Sequence, residues 1–258
     1  MPRGTSIYDE ARLQGRLWTP LNLGSALVAW WDPSQGVVQN ATGVVSWTDR
    51  VGKLVASQST ASAQPTYSPT ARNGRPGLLF NGSQYLSTPA VALPSLDFNM
   101  AVAFYGTATG NQIYIVGWGG GGQDQGRAFC KLADNNFYFD ETNDGFGDTT
   151  PVLNNDNFGV VDYLSSTHAA NYYQDGVLVA SGSSTLAASG TNVFGIGYWP
   201  VYGPSWTGVI QHIFIFKKSL AARFRQNVEG FESWSDGKAG SNLQPMHRFK
   251  NRPPLIGD

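Results

Sequence analysis

Cysteine is almost missing from this sequence: Cys130 stands alone in 258 residues, so no intrachain disulfide can form. With Phe129 and Leu132 beside it, that thiol reads as a small core residue. Charge is also scarce. Charged residues make up 14% of the chain and the formal net charge is −1. Such a balance excludes nucleic acid or an anionic membrane surface as the main partner, because neither is held without a cationic field. The surface is expected to be Ser, Thr, Asn, Gln and Gly instead. No apolar run approaches the roughly 18–20 residues that cross a bilayer as a helix, so no membrane insertion is expected. The opening MPRGTSIYDE does not read as a secretory signal. The glycosylation sequons at Asn40 and Asn81 are therefore read as chance matches. Glutamate is restricted to Glu10, Glu141, Glu229 and Glu232.

What the chain does have is turns and short alternating apolar segments. It holds 31 glycines and 14 prolines, which suits many turns rather than long helices. Strands are expected at Ala26 to Asp32, Val44 to Asp49, Met100 to Tyr105, Gln112 to Trp118, Arg127 to Leu132, Asn136 to Asp140 and Val193 to Tyr198. Asn81-Gly82 and Asp175-Gly176 read as tight hairpin turns, since these residue pairs tolerate positive φ. Residues 52–75 read as loop or irregular edge. The segment from Thr207 to Trp234 organises the rest. Val209 to Phe216 is apolar on both alternating faces, so this strand is expected to be covered on both sides. Ser219 stands where an N-cap would, and Leu220, Phe224, Val228 and Phe231 make one helical stripe. Many short strands with one late helix predict an all-β sandwich or jelly roll.

Several stretches, taken in this order, carry a resemblance. LVAWWDPSQG, VVSWTDRVGK and NGRPGLLFNGSQYLS open the pattern, and YYQDGVLVASG, FGIGY and WTGVIQHIFIFKKSLAARFRQNVEGFESW close it. Together they resemble a laminin-G-like domain of the concanavalin A-like superfamily. The resemblance implies an all-β jelly-roll β-sandwich with one C-terminal amphipathic helix and a short N-terminal arm. The expected divisions are an attachment arm over 1–22, the sandwich over 23–236 and an extended Pro-rich tail over 237–258. The tail HRFKNRPPLIG resembles endings seen after this domain in phage and prophage proteins. On that resemblance the chain is expected on a virion surface, made in the host cytoplasm. Its expected partners are capsid or tail proteins and other copies of itself.

Residues 2–20 interleave charged and apolar side chains. Two readings stand: a short helix on its own domain, or an arm that docks on another subunit through Ile7, Tyr8, Leu17 and Trp18. For sugar binding, aromatic faces and small polar groups gather in three loops. Trp118 and Asp124 lie in the first, Asp144 in the second, and Trp199, Tyr202 and Trp206 in the third. The alternative is that these rings cap the sandwich or meet a neighbouring subunit. Asp140 to Asp148 begins like a calcium loop, but Thr142 and Pro151 stand where two of its ligands belong. Asp144 and Asp148 remain the calcium candidates, and no other cofactor is expected.

Hydrolysis of a glycosidic bond usually takes two carboxylates about 5–9 Å apart. The four glutamates are dispersed, His168, His212 and His247 are far apart in sequence, and no serine lies in a nucleophile elbow. No catalytic residue is assigned. The expectation is a non-enzymatic virion structural protein that displays a lectin-like domain and contacts host surface polysaccharide. A stand-alone carbohydrate-binding module is the alternative, and a glycoside hydrolase stands behind it.

Overall fold

The computed structural model describes residues 15, 17–91, 97–106, 113–119, 126–131, 137–141, 146–147, 156–183, 191–200, 202–204, 206–235, 238, 240, 243 and 247–256. Strands β1 (Leu27–Trp31), β2 (Val37–Gln39), β3 (Val44–Thr48) and β4 (Val55–Ser57) come first. They are followed by β5 (Thr66–Arg72), β6 (Arg75–Asn81), β7 (Leu86–Ser87), β8 (Phe98–Gly106) and β9 (Ile113–Gly119). Then come β10 (Gly126–Lys131), β11 (Phe137–Glu141), β12 (Phe146–Gly147), β13 (Asp156–Leu164), β14 (Ala169–Gln174) and β15 (Val177–Ser183). The chain closes through β16 (Phe194–Ile196), β17 (Tyr198–Trp199), β18 (Gly203–Pro204), β19 (Thr207–Phe216) and the helix α1 (Ala222–Ser235).

Two sheets pack face to face. The first runs β15-β14-β13-β8-β19-β6-β5, with β1 also beside β19. The second runs β12-β11-β10-β9-β16-β7-β4-β3-β2. Between them lies one continuous core that includes Trp31, Trp47, Phe98, Phe104, Trp118, Phe129, Phe194 and Trp206. Each such side chain contributes about 1.5–3 kcal/mol by leaving water. The chain is thus an all-β jelly-roll β-sandwich with one C-terminal helix.

The helix makes a third layer on the outer face of the first sheet. Its Val228, Phe231 and Trp234 pack with Trp30, Phe158, Phe214 and Phe216. Ala101 and Ala103, both on β8, present only methyl groups there, which lets the helix lie close. The central strand β19 is covered on both faces, as its sequence predicts, but not in strict alternation. A register shift between Ile210 and His212 interrupts its pairing with β8. The extra residue turns Ile210 inward with Ile213 and Ile215, while His212, Phe214 and Phe216 face the helix layer.

Other expectations are corrected. Asn81-Gly82 does not close a hairpin, because β6 and β7 belong to different sheets and the turn carries the chain across the sandwich. The hairpin lies one turn earlier, at Asn73-Gly74, where φ is 50° and 71° and Arg72 pairs with Arg75. Residues 52–75, expected as loop or irregular edge, hold β4 and the edge strand β5, whose pairing with β6 shifts between Ser68 and Arg72. Asp175-Gly176 does close β14 onto β15, with φ of 48° and 81°. Ser219 does not cap the helix. Its hydroxyl donates to Asp162 Oδ2 at 2.7 Å, and the Leu220 N–H donates to Oδ1 at 2.8 Å. Phe224 leaves the apolar stripe and is exposed, with the Lys218 ammonium over its ring.

The C-terminal segment folds back on the helix. Phe249 lies against Gly230, and its carbonyl accepts the Trp234 indole N–H at 2.9 Å. Glu229 is fully buried between Arg225 at 3.0 Å and His247 at 3.1 Å, and Glu232 pairs with Lys238. The two end segments also meet: Leu17 bridges to Leu255, and the Trp18 N–H donates to the Pro254 carbonyl at 3.0 Å.

Candidate functional site

On the outer face of the second sheet, the strands β3, β4 and β7 floor a groove of about 560 Å³. Its volume falls among small-ligand clefts, roughly 300–1,000 Å³. Period-two alternation puts Ala56 and Leu86 into the core and turns Ser57 and Ser87 outward. Asn40, Gln58, Thr60 and Gln64 supply the walls and Tyr85 one end. These walls are held by their own bonds. Asn40 Oδ1 accepts from the backbone N–H groups of Thr42 at 2.8 Å and Gly43 at 3.0 Å. Gln58 Oε1 accepts from the Thr60 N–H at 2.9 Å, and Gln64 Nε2 donates to the Gln58 carbonyl at 3.0 Å.

Tyr85 packs against Tyr198 in a tilted pair, with ring centroids 4.7 Å apart. Both residues are half-buried. Burial, and then repulsion from the Tyr85 phenol, push the Tyr198 hydroxyl above the ordinary tyrosine value of 10.0. Tyr85 lines the groove, and Tyr198 packs against its ring. Glycines make room for the hairpin β17–β18 that carries Tyr198. A Cβ on Gly195 would stand 2.4 Å from the Tyr198 ring, and one on Gly117 2.9 Å from the Trp199 ring. Across the hairpin, Tyr202 stacks on Tyr114 at 5.4 Å and is 50% exposed.

The aromatic residues picked from the sequence divide sharply. Tyr202 is available. Trp199, Trp206 and Trp118 are not, being 0%, 0% and 3% exposed. Trp118 and Trp206 belong to the sandwich core, and Trp199 closes a small cluster with Tyr114, Ala128 and Cys130 under the hairpin. Their sugar-stacking role is corrected on that ground: a ring with no open face cannot meet a sugar. Leu17 and Trp18, expected as assembly anchors, are 7% and 5% exposed within the helix layer, so their apolar surface is used by their own domain. Asp124, Asp144, Asp148, Ile7 and Tyr8 lie outside the described residues. Tyr85 and Tyr198 were missed. The alternation of Ser87 with Leu86 pointed to an outward face there, but not to its neighbours.

A second concavity, of about 420 Å³, lies between β1, β19 and the helix. Asp32 borders it, accepting from the Ser34 N–H at 2.9 Å, the Ser34 hydroxyl at 2.7 Å and Arg50 at 2.7 Å. Arg50 also lies 4.2 Å from the Trp30 ring centre. Burial raises the Asp32 carboxyl, but attraction to His212 and the Ser34 and Arg50 bonds outweigh it and hold it below the ordinary 3.8. His212 Nδ1 accepts the Trp30 indole N–H at 3.3 Å. The other ring nitrogen, Nε2, lies 3.5 Å from Ser235 Oγ. Ser235 in turn donates to the Glu232 carbonyl at 3.0 Å.

No family model matches the chain, and no curated protein matches it. Solved structures do. The sialidase of Trypanosoma rangeli superposes with a TM-score of 0.56 at 14% identity, over 77% of this chain and 31% of the sialidase. The chain therefore spans about a third of that protein's length. Domain 4 of AbnA, an extracellular GH43 arabinanase from Geobacillus stearothermophilus, solved in complex with arabinotriose, also gives 0.56 at 10% identity, over 84% of this chain and 98% of that domain. At these identities the likeness is one of fold. It corrects the expectation of a non-enzymatic protein, since the fold is shared with a sialidase and with a domain of an arabinanase. The scarcity of glutamate does not decide the point, because glycosidic bonds are also cleaved with nucleophiles other than a carboxylate.

Proposed function

We propose that this chain is a carbohydrate-binding β-sandwich whose ligand lies in the groove of the second sheet, against Tyr85 and Tyr198. The observation that carries the reading is a pair of half-exposed, tilted tyrosines, one of which lines a cleft walled by fixed amides and hydroxyls. A sugar ring offers a C–H face and a rim of hydroxyls. A tyrosine pair offers an apolar face with polar tips, and Asn, Gln and Ser groups donate and accept at the rim. The arabinotriose complex of a domain with the same fold supports it. The test is calorimetry against an oligosaccharide panel, with Tyr85→Ala and Tyr198→Ala. Each variant is expected to lose at least about tenfold in affinity, or 1.4 kcal/mol. Unaltered affinity in both variants overturns the placement. Chromatography of the sugars after incubation reads cleavage in the same samples.

The finer reading is display of this module on a phage particle, where it contacts host polysaccharide and sits on capsid or tail proteins. The sequence resemblance supports it. Co-purification of the full chain with particles, and its loss when the chain starts at Leu23, is the expected result; retention without residues 1–22 overturns the arm's part in it.

A further inference from the structure

We infer that the groove selects an uncharged oligosaccharide and discriminates against acidic sugars; this rests on the carbohydrate reading above. Among the described residues that line it, Asn40, Val45, Ser57, Gln58, Ser59, Thr60, Gln64, Tyr85 and Ser87, none is Lys, Arg or His. A sugar carboxylate entering this cleft gives up water and finds hydrogen bonds but no countercharge, and an unpaired charge leaving water is costly. Sites that take carboxylates supply a guanidinium, whose planar fork matches the two oxygens. Three arginines of this protein are committed elsewhere. Arg50 lies on Asp32 and Trp30, Arg72 over Tyr105, and Arg225 on Glu229 and Tyr173. The phenol of Tyr85 in the lining suits a sugar hydroxyl, which donates and accepts, better than it neutralises an anion.

The same face sets the ligand's length. Tyr114, the base of the exposed Tyr202, lies on β9, and β16 alone separates β9 from β7, which Tyr85 precedes. Two strand spacings are roughly 10 Å. A chain of sugars leaving the Tyr85–Tyr198 pair across the sheet passes Tyr202, whereas a single sugar reaches only one of the two platforms.

The experiment is a glycan array that presents neutral oligosaccharides beside counterparts carrying one sialic or uronic acid, followed by calorimetry on the best matched pair. The neutral member is expected to bind at least tenfold more tightly than the acidic one, and a trisaccharide more tightly than its monosaccharide. A preference for the acidic member, or equal binding of the monosaccharide, overturns this inference and leaves the carbohydrate reading standing. Binding to no member of the array by folded protein overturns both. Ser57→Arg supplies the missing cation at an exposed position of the groove wall. It is expected to shift the ratio of acidic-member to neutral-member affinity at least tenfold toward the acidic one. An unshifted ratio overturns the assignment of selectivity to this groove.

Discussion

Replacing Trp206 by Ala separates a ring that holds the sandwich from a ring that holds a sugar. Trp206 is fully buried, meets Phe104 edge to face at 5.7 Å, and covers Gly106, where a Cβ would stand 2.4 Å from its Cη2. Its removal deletes the whole indole from the core and leaves a cavity that the neighbouring glycines cannot fill. Truncations of this kind cost about 3–5 kcal/mol. In a domain of this size each kcal/mol lowers the melting temperature by roughly 2–4 °C, so a fall of about 6–20 °C is expected. Urea unfolding, followed by tryptophan fluorescence, reads the same loss as a lower midpoint. At a temperature where the variant remains folded, its sugar affinity is expected to match that of the unaltered chain. A melting temperature within 2 °C of the unaltered chain would refute the reasoning, as would a selective loss of binding.

Three further outcomes are expected. Gly230→Ala places a Cβ 2.6 Å from the Phe249 ring; helix propensity gains about 1 kcal/mol, but overpacking costs about 1–3 kcal/mol. Faster chymotryptic cleavage at Phe249 is the expected reading, and unchanged cleavage counts against a clamped tail. Asp32 is held below its ordinary 3.8, so its share of stability is present above that pH and lost as pH falls through the lower folded value. Asp32→Asn is therefore expected to flatten the acid limb of the melting-temperature profile, and an unchanged limb places the acid sensitivity elsewhere. Tyr198 is raised above 10.0, so the unfolded chain loses that proton first and stability falls as pH climbs past 10.0. Tyr85→Phe removes the neighbouring phenol and is expected to move the Tyr198 titration back toward 10.0 in a UV difference experiment; no movement refutes the coupling.

Much of the fold can be read from the residues. The double-sided apolar strand at Val209 to Phe216, the helix after it and the Asp175-Gly176 hairpin all follow from local rules. The misreadings have local causes too. Asn73-Gly74 and Asn81-Gly82 carry the same turn chemistry, but only the first joins paired strands, and β5 lacks apolar alternation because it is an edge carrying Pro69. The extra residue in β19 shifts one face by a position, and no single-strand pattern signals it. The candidate site was the least legible part. A loop rich in Trp and Tyr reads alike whether its rings are buried or open, and the outcome depends on distant glycines. Gly106 admits Trp206 and Gly117 admits Trp199, which leaves Tyr198 and Tyr202 outside. Tyr85 gains its partner only because β7 lies next to β16 in the second sheet.

The bridge between Leu17 and Leu255, with the Trp18–Pro254 bond beside it, brings the two end segments together at one place. A module whose entry and exit adjoin can be spliced into a surface loop of another protein without stretching that loop, because the host chain leaves and returns at nearly the same point. It can equally be re-sewn, with the segments at Leu17 and Leu255 joined by a short linker and the chain reopened at the tip of an exposed turn such as Asn73-Gly74. Its groove lies on the sheet opposite the helix layer that gathers those segments, so either arrangement leaves the groove turned outward.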